Sequence, residues 1–373
     1  MTLGLLAFIL TTIGAWVGMH YYTFLNLSAA GVGRVVLVPL LWCLALAFPV
    51  TRLLTLRWRN PVLRFIYRVG VTWMGLLFIL SFWFLVASLL RRGLNLTGWA
   101  PASDPGPWIL GTGSLVAAMG AWGLYHALSG PRDVHFEVDR SDRYGLGRSL
   151  KIVQISDVHL GLILGIPYLG RLVERINALQ PDLVFITGDF FDPEFDADAE
   201  AAKLLKTVTA REGVFAVSGN HEFYAGIGRF QAMMEGAGVP VLDNEIQSTP
   251  SGVQIIGIQD QTANRFPALE MSSDLPKALL SLDPGRPSLL LAHQPKELEP
   301  AADKRVDLVF SGHTHNGQVF PFRAIVRLAY KYLSGRYRLG PDTELIVNTG
   351  TGFWGPPLRL GSDSQIVIVD FRC

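Results

Sequence analysis

The first 130 residues of this 373-residue chain contain one acidic residue, Asp104, and no lysine. Their eight basic residues are all arginines, whereas residues 131–373 hold 24 basic and 30 acidic residues. The near-neutral total therefore combines a first part of formal charge +7 with a remainder of −6. A stretch with so few charges and so many apolar residues is not typical of a soluble domain, which indicates that it is buried in lipid.

Apolar stretches in this first part predict membrane-spanning helices. A hydrocarbon core of about 30 Å needs about 20 helical residues, and the second of the stretches is the shortest. The first could also be a cleaved signal peptide, but it lacks a preceding basic segment and other apolar stretches follow it, which favours a span. We expect residues 1–130 to form an anchor of about four helices in the lipid bilayer, at residues 3–25, 33–50, 69–90 and 108–128.

The distribution of basic residues predicts the orientation of the anchor, because short cytoplasmic loops are rich in Lys and Arg. Three arginines lie on one predicted side: Arg34, Arg91 and Arg92. Ten basic residues lie on the other: Arg52, Arg57, Arg59, Arg64, Arg68, Arg132, Arg140, Arg143, Arg148 and Lys151. Tryptophans, including Trp99, lie near the predicted span ends, as membrane interfaces favour. We expect both termini and everything after residue 130 to be cytoplasmic.

The pattern changes near residue 131 to short β-branched runs that alternate with amphipathic segments and turns. This pattern is typical of an α/β domain, here a four-layer αββα sandwich. We expect a linker and first strand at residues 131–147, followed by a domain at residues 148–373. Within it, helices are predicted at residues 168–180 and 197–208, and strands at residues 151–156, 182–187, 214–218, 253–258, 288–292, 307–311, 344–348 and 365–371.

Polar residues that can bind metals follow five of these strands. They are Asp157 and His159; Asp189 and Asp192; Asn220 and His221; His293; and His313 and His315. Each motif alone is also ordinary turn chemistry, but five of the eight histidines fall in them. In an extended chain residues i and i+2 point the same way, so we expect each Asp-x-His or His-x-His pair to converge. Carboxylates, an amide oxygen and imidazoles suit Mn, Fe, Zn or Mg.

In this order the five motifs resemble the signature of the calcineurin-like metallophosphoesterases, over about residues 148–371. Residues 292–295, 311–318, 348–352 and 357–360 resemble the bacterial membrane-anchored branch of that family. Some members of this branch act on UDP-2,3-diacylglucosamine in lipid A synthesis. The chain departs from the branch at Asn316, where glycine is common, and at Gln365, where glutamate is frequent.

The resemblance implies a role for each motif residue. Asp157, His159 and His315 would hold one metal ion. Asn220, His293 and His313 would hold the other, with Asp189 bridging both. His221 would act on the leaving-group oxygen, oriented by Asp192. We expect two divalent metal ions as cofactors, with Mn favoured, since such a pair can activate water to hydroxide for attack on phosphorus.

These features together predict a function. We expect a metallophosphoesterase of the bacterial inner membrane that hydrolyses a phosphodiester or pyrophosphate, with a lipid-linked substrate such as UDP-2,3-diacylglucosamine as first choice and a soluble phosphodiester or phosphoprotein as alternative. A non-catalytic scaffold and a transporter with a regulatory domain are the alternatives from other classes. Nucleic acid is not expected as a partner, because the soluble part is not basic, and no protein partner is identifiable.

Two further segments bear on the substrate. Residues 160–168 carry no charge and directly follow His159, so they either pack as core or face an amphiphile. Residues 320–339 mix five basic residues with apolar ones, which suits an anionic membrane surface or a phosphate head group. We therefore predict that the site opens toward the membrane.

Overall fold

The computed structural model describes residues 3–55, 57–58, 60–98 and 104–373. Contacts divide the chain into two compact units. The helical unit comprises Met1–Tyr125, Val319–Pro321 and Gly355–Leu360. The sheet unit comprises His126–Gln318, Phe322–Trp354 and Gly361–Cys373.

The helical unit is built from the predicted apolar stretches. Its helices are α1 (Leu3–Ala29), α2 (Arg34–Thr55), α3 (Pro61–Leu96) and α4 (Gly106–Leu128). Among the described residues, α2 and α3 are the helices whose length and hydropathy suffice to cross a membrane, and the assignment of α1 and α4 as further spans stays a prediction. Arg59 and Trp99, which were used for the predicted orientation and span ends, lie outside the described residues.

The start of α3 follows from its local sequence. The side chain of Asn60 accepts a hydrogen bond from the backbone N–H of Val62 at 2.8 Å. Pro61 occupies the first helical position, where its missing N–H has no intrahelical partner to lose. The helix therefore begins well before the apolar stretch predicted from residue 69.

Two short segments from the C-terminal half of the chain also belong to the helical unit. Val319 and Leu358 are buried in one apolar cluster with Ile79 of α3 and Val116 of α4. The ring of Phe320 lies 5.8 Å from that of Phe82. The helical unit is therefore not built from the N-terminal residues alone.

The sheet unit contains the remaining elements. Its helices are α5 (Ser141–Tyr144), α6 (Ile166–Ala178), α7 (Asp198–Leu205), α8 (Asn220–Ala225), α9 (Ile227–Ala237), α10 (Leu275–Ala278), α11 (Glu299–Asp303) and α12 (Phe322–Ala329). Its strands are β1 (Arg132–Asp139), β2 (Ser149–Ile155), β3 (Leu183–Thr187), β4 (Gly213–Val217), β5 (Glu245–Ser248), β6 (Gln254–Gly257), β7 (Ser288–Leu291), β8 (Leu308–Ser311), β9 (Gly335–Arg338), β10 (Glu344–Val347) and β11 (Gln365–Arg372).

These strands form two sheets. The five-stranded sheet has the order β1-β11-β2-β3-β4, and the six-stranded sheet has the order β5-β6-β7-β8-β10-β9. Strands β2, β3 and β4 are mutually parallel, as are β6, β7 and β8. Because parallel strands end at the same edge, the loops that follow them lie together.

Side-chain alternation explains the layers. On β3, Leu183 and Phe185 face a core shared with strands of the second sheet, while Val184 and Ile186 pack against residues of α6, α7 and α9. A third core lies on the far side of the six-stranded sheet, against α10 and α11. The α/β prediction is confirmed, and the order of layers is αββα.

The structure bears on both segments that the sequence linked to the substrate, residues 160–168 and residues 320–339. Leu160, Leu164 and Tyr168 are buried in the core of the first sheet, so the core interpretation of residues 160–168 is favoured. Residues 320–339 are divided between the helical-unit segment, α12 and β9, and their predicted suitability for an anionic membrane surface or a phosphate head group stays a prediction. Arg336 of β9 forms an ion pair with Glu344 of β10 and is structural.

Candidate metal centre

The predicted site residues all lie in the sheet unit, just after the carboxyl ends of β2, β3, β4, β7 and β8, where Asn220 and His221 begin helix α8. Three groups of described side chains have ligand atoms that lie within 4.8 Å of one another, and one of them, His159, Asp189 and His221, shares a residue with each of the other two. The first group is Asp157, His159 and His315, and the second is Asp189, His293 and His313. The structure therefore brings together residues that are up to 158 positions apart in the chain.

Short distances connect the first group. Nε2 of His159 lies 3.2 Å from Nε2 of His315. The same His315 atom lies 3.4 Å from Oδ1 of Asp157. Asp157 is fully buried, and both its oxygens accept the backbone N–H of His313 at 3.0 Å.

The second group is centred on His293. Its Nε2 lies 3.1 Å from Nδ1 of His313, 3.3 Å from Oδ2 of Asp189 and 3.3 Å from Oδ1 of Asn220. Oδ2 of Asp189 is also 3.8 Å from Nε2 of His159, which belongs to the first group. Asp189 therefore lies between the two groups, as a bridging ligand would.

The backbone reaches this arrangement in an unexpected way. Five of the predicted ligands have positive φ between 47° and 68°: Asp157, His159, Asp189, His313 and His315. Asp157 and His159 converge through left-handed turns and not in an extended chain, whereas His313 and His315 lie in different groups, so the predicted convergence of the His-x-His pair was wrong. Such conformations are rare outside glycine and cluster at functional sites. Asn316, also at positive φ, stands where glycine is common, and asparagine tolerates this region.

Hydrogen bonds fix which nitrogen of each histidine faces the centre. Nδ1 of His293 lies 2.7 Å from the carbonyl oxygen of Thr187, so this nitrogen carries the proton. Nδ1 of His159 lies 2.8 Å from Asp192 and donates in the same way. The lone pairs on Nε2 therefore point into the centre. Histidines that bind metals usually donate their other N–H to a carbonyl or carboxylate.

A series of hydrogen bonds through Tyr330 determines which nitrogen of His313 carries the proton. The amide nitrogen of Gln294 donates to both oxygens of Asp260, at 3.0 and 2.9 Å. The hydroxyl of Tyr330 donates its single proton to the amide oxygen of Gln294 at 2.9 Å. It must then accept from Nε2 of His313, 2.6 Å away, which leaves the lone pair of His313 on Nδ1. No pattern in the sequence indicated a role for Tyr330, because that role depends on its contact with His313.

The donor set fits two divalent cations. Ring nitrogens of two histidines lie opposite each other at 3.1 Å in one group and at 3.2 Å in the other, so each pair is spaced to bind a shared cation. Ligands that bind one ion at about 2.1 Å are separated by about 3.0 Å at octahedral angles and about 3.4 Å at tetrahedral angles. The distances within both groups lie in or near this interval.

Comparisons with known proteins agree with this geometry. The sequence profile described as calcineurin-like phosphoesterase matches residues 150–317. A protein of Aquifex aeolicus described as an uncharacterized metallophosphoesterase is 34% identical over 230 residues, which cover 61% of this chain and 86% of that protein. This chain belongs to the calcineurin-like metallophosphoesterases.

Two further relatives are longer than the matching region. A Helicobacter pylori protein, also described as an uncharacterized metallophosphoesterase, is 34% identical over 247 residues, or 65% of each chain. A Danio rerio protein described as a transmembrane protein with metallophosphoesterase domain is 34% identical over 263 residues, covering 68% of this chain and 60% of that protein. The match thus spans less than two thirds of these relatives' length.

In this metallophosphoesterase, His221 and Asp192 form a pair beside the ligands. Nδ1 of His221 lies 2.8 Å from Oδ1 of Asp192, the same oxygen that His159 contacts. Burial would lower the pKa of His221, but the carboxylates of Asp189 and Asp192 outweigh it and raise the pKa to about 9. Burial would raise the pKa of Asp192, but His159 and His221 hold it well below its usual range. The pair is therefore an imidazolium on a carboxylate near neutral pH.

Glu222 is a further site residue of the metallophosphoesterase, and no pattern in the sequence indicated its role. Its fully buried carboxylate accepts backbone N–H groups from Asp189 at 2.8 Å, Phe190 at 2.8 Å and Gly219 at 2.6 Å. Burial and the charge of Asp189 raise its pKa to about 7. Gly219 is required, because an added Cβ would lie 2.3 Å from Oδ1 of Asp189. Glu222 thereby fixes the loop after β3 to the loop after β4.

Proposed function

We propose that this chain is a membrane-attached dimetal phosphoesterase that hydrolyses a P–O bond of a phosphodiester or pyrophosphate. The observation that carries the proposal is the pair of ligand groups whose histidine nitrogens lie opposite each other at 3.1 and 3.2 Å, with Asp189 between the groups. One ion is assigned to Asp157, His159 and His315. The other is assigned to Asn220, His293 and His313, with Asp189 shared.

The residues around the ions have distinct roles in this proposal. Two divalent cations, when bound, supply the positive charge that activates water and neutralises phosphoryl oxygens. His221, protonated near neutral pH, donates its proton to the leaving-group oxygen, and Asp192 holds the ring in place. Burial and a smaller contribution from His293 lower the pKa of His313 to about 3, which keeps this ligand neutral.

A lipid-linked substrate such as UDP-2,3-diacylglucosamine is our first choice. Two exposed aromatic rings flank His221, with centroid distances of 5.5 Å for Tyr224 and 6.1 Å for Trp354. Rings of this kind can stack on a base or pack on an apolar chain. The apolar helices α2 and α3 would keep the enzyme on the bilayer where such a substrate resides.

The test is a substrate series with the full-length protein in detergent and Mn. It contains UDP-2,3-diacylglucosamine, a soluble UDP-sugar, bis-p-nitrophenyl phosphate and a phosphopeptide. We expect product release from the lipid-linked substrate with the highest kcat/KM, and a kcat/KM about a thousandfold lower for the Asp189→Asn variant. Preference for a soluble substrate would overturn the lipid assignment alone. Release that is equal in the Asp189→Asn variant, or absent with Mn, Fe, Zn and Mg, would contradict the enzyme and favour a scaffold or a regulatory domain.

The localisation is tested separately. We propose that the sheet unit lies in the bacterial cytoplasm. Reporter fusions after Gly130 and after Gly98 should report opposite sides, with the first cytoplasmic. A periplasmic signal after Gly130 would exclude a cytoplasmic nucleotide-lipid substrate without affecting the metal chemistry.

A further inference from the structure

Helix α12 exposes an apolar face that nothing in the sheet unit covers. The structure describes every residue of this helix and buries none of them. Ile325 and Leu328 are exposed apolar side chains of this helix, and Leu328 is 89% exposed. On a helical projection they share one side, while Arg323 and Arg327 lie one turn apart on the other. This is the pattern of a helix that lies in a membrane interface.

The helix is exposed but firmly held. The backbone of Arg323 packs closely against Gly317. A Cβ added to Gly317 would lie 2.3 Å from the Cα of Arg323. At the other end, Tyr330 continues the helical hydrogen bonds to Val326 at 2.9 Å and contacts His313 at 2.6 Å. Both ends are thus fixed to the loop that carries His313 and His315, so the exposed face has a defined position relative to the metal centre.

The chain that leads into α12 points to the occupant. Val319, three residues before the helix, is buried with Ile79 of α3 and Val116 of α4. Phe320 packs against Phe82 and Trp83 of α3. Helix α3 is one of the helices that can cross a membrane. The chain therefore enters α12 directly from a segment packed among helices assigned to the membrane. Lipid, which would surround those helices, is therefore the cover that we assign to the exposed face of α12.

The charge of the helix selects the kind of lipid. Arg323 and Arg327 are both exposed, and α12 contains no acidic residue. Arginine can extend its charged end to the head-group level while its stem lies along apolar surface. Each basic residue near an anionic surface adds to the electrostatic attraction between helix and membrane. The apolar face and the arginines together match a bilayer that contains anionic phospholipid.

We propose that α12 lies in the interface of an anionic bilayer, with Ile325 and Leu328 in the acyl boundary and Arg323 and Arg327 at the phosphates. This inference rests on the membrane attachment proposed above. It goes beyond that attachment, because it assigns a lipid-binding surface to the sheet unit at the loop that holds the metal ligands.

The test measures the depth of single labels in the full-length protein. Native Cys43 and Cys373 are replaced, and a nitroxide is attached to Cys substituted for Leu328. The protein is reconstituted in vesicles of phosphatidylglycerol and phosphatidylcholine. Accessibility to oxygen, which partitions into lipid, is compared with accessibility to a water-soluble nickel chelate. We expect the label at position 328 to favour oxygen several-fold.

Two matched positions serve as controls. Leu280 is 82% exposed in the sheet unit and lies away from α12 in sequence, so its label should favour the nickel chelate. Leu46 of α2 is exposed within a helix that can cross a membrane, so its label should favour oxygen. Nickel preference at both 46 and 328 would overturn the membrane attachment itself. Oxygen preference at 46 with nickel preference at 328 would overturn only the assignment of α12.

The lipid charge is tested with the arginines. In vesicles of phosphatidylcholine alone, the label at position 328 should shift toward nickel accessibility. The combined Arg323→Gln and Arg327→Gln variant should show the same shallow position in both lipids. Equal depth of the unmodified helix in both lipids would overturn the anionic preference. Spin–spin broadening between labels at position 328 would show that a second copy covers the face, which also overturns the proposal.

Discussion

The sheet unit contains two clusters of buried carboxylates. They differ in the groups that balance the negative charge of these carboxylates. Asp307 is fully buried, with Arg143 2.8 Å from Oδ1, and Oδ2 accepts from Tyr144 and from the backbone of Ser288, each at 2.8 Å. Asp157 and Asp189 are equally buried, yet their ion pairs among the described residues are all with histidine.

The difference shows which buried charges are structural and which are functional. The guanidinium groups near Asp307 are permanently charged and covalently attached, so this cluster is complete within the chain. The histidines of the metal centre hold their nitrogens at the spacing of ligands that share a cation, so we assign the balancing charge of that cluster to external cations. Removing a charge should therefore cost stability at the first cluster and activity at the second.

The largest effect is expected at Asp189. The Asp189→Asn variant should lose about a thousandfold in kcat/KM, because the bridging carboxylate loses its charge toward both cations. The melting temperature should change little, since Glu222 still holds the loops. Kinetics and thermal unfolding of the purified variant check both parts. A fold lost together with the activity would contradict the distinction between the clusters.

His221→Asn should lower kcat by about 10² to 10³ while both ions stay bound, because His221 is assigned to proton donation and not to metal binding. Metal content by plasma mass spectrometry, measured beside kcat, separates these roles. Loss of either ion from this variant would show that His221 is a ligand.

Asp307→Asn should show the opposite behaviour. Removing one partner of a buried ion pair leaves Arg143 and Arg140 without their carboxylate, and we expect the melting temperature to fall by about 5–10 °C. The kcat of the folded fraction should stay within about twofold of the unmodified enzyme, since this cluster has no assigned part in the reaction. A large loss of kcat at unchanged stability would remove the distinction between the clusters.

Tyr330→Phe removes the acceptor for Nε2–H of His313. We expect the affinity for one of the two ions to fall about tenfold, the usual effect of removing a hydrogen bond behind a ligand. Calorimetric metal titration measures this directly. Tyr332→Phe is the matched control, because its ring packs against Tyr337. Equal titrations of the two variants would show that Tyr330 does not position His313.

The smallest effect concerns Glu344 and pH. Burial would raise its pKa, but hydrogen bonds from Arg336 and Arg140 outweigh burial and lower it. Its stabilising contribution is therefore present above pH 4.5, the ordinary pKa of glutamate, and is lost as pH falls through the lower folded-state pKa. Glu344→Gln should be less stable by about 1 kcal/mol at pH 7. Its melting temperature should also fall less steeply than that of the unmodified protein as pH drops below 4.5.

Much of the sheet unit could be predicted because its signals are local. The strands that lead to Asp157 and Asp189 are short runs rich in β-branched residues, and the predicted ends of both agree with the structure within two residues. Strands β5 and β9 were not predicted, because each has four residues and lacks a buried apolar run. Helix α12 was not predicted as a separate helix, because it lies within a longer basic stretch and has no buried apolar residues.

The metal centre could also be predicted only in part. The residue types and their places after the strands indicated a divalent cation site before any geometry was available. The left-handed turns at Asp157 and His313 were not visible in the sequence, because positive φ at a non-glycine residue is imposed by its surroundings.

The sequence by itself determined the division into an apolar, arginine-containing first part and an α/β second part, and it determined the inventory of candidate ligands. These depend on residue type and spacing, which the chain states directly. Only the tertiary structure decided that Asp192 contacts both His159 and His221, that Tyr330 sets the tautomer of His313, and that Val319–Pro321 belongs with the helices. Each of these depends on contacts between residues far apart in sequence, and no local pattern encodes them.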